Sequence, residues 1–156
     1  MPRVIGIDPG TVSVDLCGLD EGHLFLERSI PTAAALADPS ILLALLESAS
    51  PLDLVVGPSG YGLPLVAARN LTEEDILLAC LAAEGEPGGI GGLRSVLRAL
   101  ARSTLPVVLT PGVVHLASVP EHRKVNRVDM GTADKVCAVV LATHEQVQRR
   151  RCRARE

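Results

Sequence analysis

The chain has 156 residues and a formal net charge of −3, the size of one ordinary domain around a single core, so a second full domain is not expected within it. Apolar residues make up 47% of it, yet there is one Phe (Phe25), one Tyr (Tyr61) and no Trp, so the core must be aliphatic and aromatic platforms for stacking bases are excluded. The last eight residues, RRRCRARE, hold five arginines, leaving an acidic body that argues against a general nucleic-acid surface.

Three extended segments open the chain, at about Arg3 to Asp8, Val12 to Leu19 and Leu24 to Ile30, and short turns between them predict an antiparallel meander. ADPSILLALLESA follows, with Asp38 as cap and Pro39 in the first turn of a helix running to about Ser48. LDLVVG, from Leu52, is a continuous apolar run halted by Gly57-Pro58 and predicts a strand buried on both faces. In LTEEDILLACLAAEG, Thr72 caps a second helix, acids fill its first turn and Gly85 stops it. EPGGIGGL breaks the pattern, SVLRALARS resumes a helix, and LPVVLTPG predicts a fifth strand. From Thr132, TADKVCAVVLATHEQVQ predicts a long helix whose Ala133, Val136, Cys137, Val140 and Leu141 form one apolar stripe. The expected fold is α/β: a ribonuclease-H-like mixed five-stranded sheet with helices on both faces.

Cys17, Cys80, Cys137 and Cys152 are widely separated, which excludes a zinc cluster and gives no disulfide framework. No basic-then-apolar leader follows Met1 and no apolar run approaches bilayer length, so a soluble cytoplasmic protein with no membrane partner is expected.

Three stretches carry candidate chemistry. In IGIDPGTVS, Asp8 ends a buried strand, Gly10 permits a close turn, and Thr11 and Ser13 add hydroxyls and backbone N–H groups, so the acid can hold Mg²⁺ while the turn holds phosphate. Asp, Pro, Gly and Thr are also ordinary turn residues, so the bland alternative is a plain hairpin. GPSGYGLPL follows the fourth strand, where loops of open α/β sheets line the ligand crevice, and its Ser59, Gly60, Tyr61 and Gly62 form either a ligand contact or a flexible connection. VPEHRKVNRVDMGTADK gathers His122, Arg123, Lys124, Asn126, Arg127, Asp129, Asp134 and Lys135 before a helix start, an arrangement suited to an anion or to an acid acting as base. Taken singly, each cation there reads as a solvated loop residue. EPGGIGGLRS lacks the ending of a P-loop and reads as a surface loop, with Arg94 a minor candidate for an anion contact.

VIGIDPGTVSVDLCGLDEG resembles the first phosphate motif of the ATPase superfamily that contains actin, the sugar kinases and the heat-shock chaperones. More narrowly, IGIDPGT, DLVVGPSGYGLPL and PGVVHLASVPEHRKVNRVDMGTADK, in that order between Val4 and about Thr143, resemble an uncharacterised prokaryotic family described as butyrate-kinase-like. The resemblance implies ATP bound with Mg²⁺ between two related lobes and phosphoryl transfer to a small molecule, a carboxylate among the candidates. It implies that Asp8 organises the metal and that Gly10, Thr11 and Ser13 face the terminal phosphates. By location, Asp129 or Asp134 would activate the acceptor; Ser59 to Gly62, Arg123, Asn126 and Lys135 would hold it. Residues 1–148 then read as the first lobe and 149–156 as a disordered Arg-rich tail. Superfamily members carry a second lobe with no counterpart here, so the chain is expected to be inactive alone, with a partner chain or self-association completing the cleft.

Two alternatives stay open. IGIDPG also resembles the first strand of the Holliday-junction resolvases, metal-dependent nucleases for which Asp8, Asp129 and Asp134 could supply three acids. Against that stand the acidic body and a fourth strand ending in GPSGYG, with no carboxylate where a second is needed. The other alternative is a nucleotide-binding lobe without chemistry.

Overall fold

The computed structural model describes residues 2–58, 63–80 and 93–125. Its first three strands, β1 (Arg3–Pro9), β2 (Ser13–Asp20) and β3 (His23–Pro31), form the expected antiparallel meander. Glu21 at φ 50° and Gly22 at φ 84° supply the two left-handed residues of the β2–β3 turn, which match the right-handed twist of the strands they join.

Helix α1 (Thr32–Ala37) follows β3 directly and has no counterpart in the sequence-based expectation. TAAALA is made largely of strong helix formers, but six residues are too few to display a periodic apolar face, and the preceding Pro31 provides no side-chain cap. Helix α2 (Ser40–Ser48) begins beside the expected capping acid: Asp38 accepts the Ser40 hydroxyl at 2.6 Å and the Ser40 backbone N–H at 3.0 Å. These bonds hold the Asp38 carboxyl below its ordinary value.

The chain then enters β4 (Leu54–Gly57), parallel to β1, and after β5 (Val66–Ala67) reaches α3 (Glu73–Cys80). Thr72 and Asp75 close the start of α3 reciprocally: the Asp75 N–H donates to the Thr72 hydroxyl at 3.1 Å, and the Thr72 N–H donates to the Asp75 carboxylate at 2.9 Å. Helix α4 (Leu93–Arg102) leads into β6 (Val107–Leu109), parallel to β4. Among the described residues the sheet order is β3-β2-β1-β4-β6-β5, with six strands where five were expected, because β5 is a two-residue strand antiparallel to β6 and too short to show alternation. A mixed sheet with a meander first and parallel crossovers afterwards is the ribonuclease-H-like arrangement.

Strand residues with buried side chains share one face of the sheet: Ile5, Ile7, Val14, Leu16, Ile30, Val55, Val107 and Leu109. They form a single cluster with Leu42 and Leu46 of α2, Ile76 of α3, and Val96, Leu97 and Leu100 of α4. Each such aliphatic side chain contributes about 1.5–3 kcal/mol on burial, so the missing aromatics are replaced by number. On the other face Val4, Leu54, Val56 and Val108 are half-buried, whereas Asp8, Asp15 and Cys17 are exposed. The apolar run of β4 is therefore only half-buried on its second face, not enclosed on both as its composition predicts. The helix expected from Thr132 lies outside the described residues.

Candidate functional site

Because β1, β4 and β6 are parallel, their carboxyl ends share one edge of the sheet, at Asp8–Pro9, Gly57–Pro58 and Leu109–Thr110. The Gly112 N–H donates to the Leu63 carbonyl at 2.8 Å, which ties the segment after β6 to the segment after β4 at that edge.

Asp8 is exposed there, outside the apolar core. Directly opposite in the β1–β2 ladder stands Asp15, also exposed, whose carboxylate accepts the Ser13 hydroxyl at 3.0 Å. Between the strands the turn is closed by the Gly10 N–H donating to the Ser13 carbonyl at 2.8 Å. A Cβ on residue 10 would stand 2.8 Å from that same carbonyl oxygen, so the turn closes this tightly only with glycine. Thr11 and Val12 form the exposed tip, Val12 being 82% exposed. A second set of bonds anchors the turn from α1: the Thr32 hydroxyl donates to the Gly10 carbonyl at 2.8 Å and the Thr32 N–H to the Val12 carbonyl at 2.9 Å.

The hairpin thus brings together Asp8, Gly10, Thr11 and Ser13, four of the residues expected to hold phosphate and metal. Arg123, expected on the acceptor side, is exposed at the end of a 3-10 turn, Glu121–Arg123, whose Glu121 pairs with Lys124 at 2.6 Å. Ser59, Gly60, Tyr61, Gly62, Asn126, Asp129, Asp134 and Lys135 lie outside the described residues. Among the described residues no group of three or more His, Cys, Asp or Glu is placed to hold a metal ion. Arg94 lies in the first turn of α4, and its Nε is buried with no hydrogen-bond partner among the described residues.

The model of one family, described as "Protein of unknown function (DUF1464)", matches residues 6–156. The chain belongs to that family. A search of curated proteins found no match to it.

In this DUF1464 chain two site residues escape a reading of the sequence. Asp15 is recoverable once the hairpin is paired outward from its two-residue tip, which sets Asp8 against it, but a polar residue in an alternating strand ordinarily reads as a solvent-facing position. Thr32 gives no local signal, since its contact with Gly10 spans 22 residues.

Proposed function

We propose that this chain is a phosphate- and Mg²⁺-binding lobe of an ATP-dependent small-molecule kinase of the butyrate-kinase-like kind. The observation that carries the reading is the exposed Asp8 at the carboxyl end of β1, adjoining a turn that only glycine at position 10 can close. Mg²⁺ favours oxygen ligands, keeps several waters and is commonly held by one or two carboxylates together with substrate phosphates. Asp8, with Asp15 opposite it, suits that mode better than an all-protein cage. Gly10, Thr11 and Ser13 are the proposed contacts to the terminal phosphates of ATP.

In the proposed reaction the bond between the γ-phosphorus and its bridging oxygen breaks, ADP departs, and an acceptor oxygen bonds to phosphorus. Positioning and charge neutralisation supply most of such catalysis. A carboxylate acceptor is already deprotonated and needs no base; a hydroxyl acceptor would call on Asp129 or Asp134. Ser59 to Gly62, Arg123, Asn126 and Lys135 are proposed to hold the acceptor, with a partner lobe or a second copy completing the cleft. Among the described residues no helix is long and apolar enough to cross a membrane, and a cytoplasmic location is part of the proposal.

Titration calorimetry with ATP tests the reading: binding is expected with Mg²⁺, lost in EDTA and lost in Asp8→Ala. Metal-dependent cleavage of four-way DNA junctions, with no nucleotide binding, would overturn it in favour of a nuclease. Binding that is never accompanied by phosphoryl transfer to a carboxylate or hydroxyl acceptor, even when a partner lobe completes the cleft, would reduce it to a nucleotide-binding lobe.

A further inference from the structure

Thr32 makes two bonds to the Asp8–Ser13 turn with different parts of itself, its hydroxyl to Gly10 and its backbone N–H to Val12. The backbone bond merely continues the strand pairing that begins at Ser13 and Pro31. The hydroxyl bond is additional, and an alanine or valine at this position would fold without it.

Its consequence follows from peptide geometry. A trans peptide directs its C=O and N–H in opposite senses, and the peptides of the turn are trans. With the Gly10 carbonyl turned to the Thr32 hydroxyl, the Thr11 N–H is directed away from Thr32. The Val12 carbonyl, held by the Thr32 N–H, does the same for the Ser13 N–H. The Ser13 N–H, set by a backbone bond, faces Gly10 across the hairpin, where the Gly10 N–H meets the Ser13 carbonyl; the outward donor that depends on the Thr32 hydroxyl is the Thr11 N–H.

We propose that Thr32 is a positioning residue: its hydroxyl fixes the Gly10–Thr11 peptide so that the Thr11 N–H is aimed at a phosphate oxygen before ligand arrives. The inference rests on the phosphate reading of the turn. Preorganised donors avoid an ordering cost at the moment of binding, so losing the hydroxyl weakens binding without touching the ligand. Gly10 is exposed, and water can replace the lost donor at its carbonyl, so the fold itself is little affected.

The test uses the full chain with Thr32→Val, which keeps the shape and the backbone bond, and Thr32→Ser, which restores the hydroxyl. Thr32→Val is expected to weaken MgATP binding about five-fold, the worth of one ordinary hydrogen bond, and Thr32→Ser to recover it to within about two-fold. MgATP binding unchanged in Thr32→Val overturns the proposal; equal loss in both variants assigns Thr32 a packing role and overturns it too. The amide resonance of Thr11 provides a readout without ligand, expected to shift in Thr32→Val and return in Thr32→Ser. Should the wild-type chain bind no MgATP, the phosphate reading fails, and the positioning claim is decided by that resonance: an unmoved Thr11 amide overturns it, and a shift reversed by serine sustains it.

Discussion

Asp8 of β1 and Asp15 of β2 face each other across an antiparallel ladder, both exposed, at the edge where the parallel strands end. Opposed residues in such a ladder project to the same side of the sheet, and like charges there destabilise by about 0.2–1 kcal/mol. Without metal, Asp15→Asn is therefore expected to raise the unfolding free energy slightly, by about 0.5 kcal/mol, seen as a higher urea midpoint. Magnesium should raise the midpoint of the wild-type chain and do so less in Asp8→Asn or Asp15→Asn, since a ligand bound only by the folded state stabilises it. Denaturation curves with and without Mg²⁺ check this, and an identical response in all three proteins would rule out a cation shared by the two acids.

Gly18 lies where the β2–β3 register shifts, and there is no room for a side chain. A Cβ would stand 2.8 Å from two atoms of the Phe25 ring and 2.9 Å from the Leu26 Cβ. The ring also carries the Arg3 guanidinium 3.9 Å from its centroid, and Arg3 in turn pairs with Asp20 at 2.6 Å. Gly18→Ala should thus cost about 1–3 kcal/mol, as overpacking does, with the loss read from the urea midpoint. In a Phe25→Leu background the penalty should shrink without vanishing, because the Leu26 Cβ is fixed to the backbone.

What the sequence discloses here depends on how local each signal is. The meander is legible because alternating apolar residues and two short turns pin its register, and the Thr72–Asp75 pairing because a capping acid sits three residues after its threonine. Helix α1 and strand β5 are not legible, being too short at six and two residues to express a period. β4 misleads for a different reason: its composition is apolar throughout, but Leu54 and Val56 face a side only half-buried. At the candidate site the acid, the glycine and the hydroxyls stand within one hairpin and can be read in order. Thr32 cannot, because its contact with Gly10 exists only once the end of β3 folds back against the turn.

The reactivity of two cysteines should diverge. Cys17 is exposed on the second face of the sheet, while Cys80, at the end of α3, is buried and its thiol is pushed up to about 11 by burial. Thiolate is the reactive form, so in a Cys137→Ser/Cys152→Ser background a disulfide reagent at neutral pH should label Cys17 quickly and Cys80 only as fast as the chain opens. The same shift sets a pH dependence. Unfolded Cys80 ionises near the ordinary 9.0 and folded Cys80 near 11, so its stabilising effect is complete below 9.0 and is lost as pH rises towards 11. Wild-type stability should fall over that window more steeply than that of Cys80→Ala, as measured by urea denaturation.

Helices α3 and α4 are joined by a two-pronged ion pair: Arg98 donates from Nε to one Glu73 oxygen at 3.0 Å and from its terminal nitrogen to the other at 2.6 Å. The hydrogen bond from Arg98 is the main cause holding the Glu73 carboxyl below its ordinary 4.5. A carboxylate whose value is lower in the folded chain stabilises above its unfolded value and loses that effect as pH falls through the folded one. Acid unfolding of the wild-type chain should therefore steepen below pH 4.5 relative to Glu73→Gln, with the two curves parallel at neutral pH. Bidentate geometry is the part that lysine cannot reproduce, so Arg98→Lys should shrink the difference, leaving the part owed to the retained charge and to Arg94 and Arg102. If Arg98→Lys instead kept the acid slope of the wild type, charge alone would account for the coupling between the two helices.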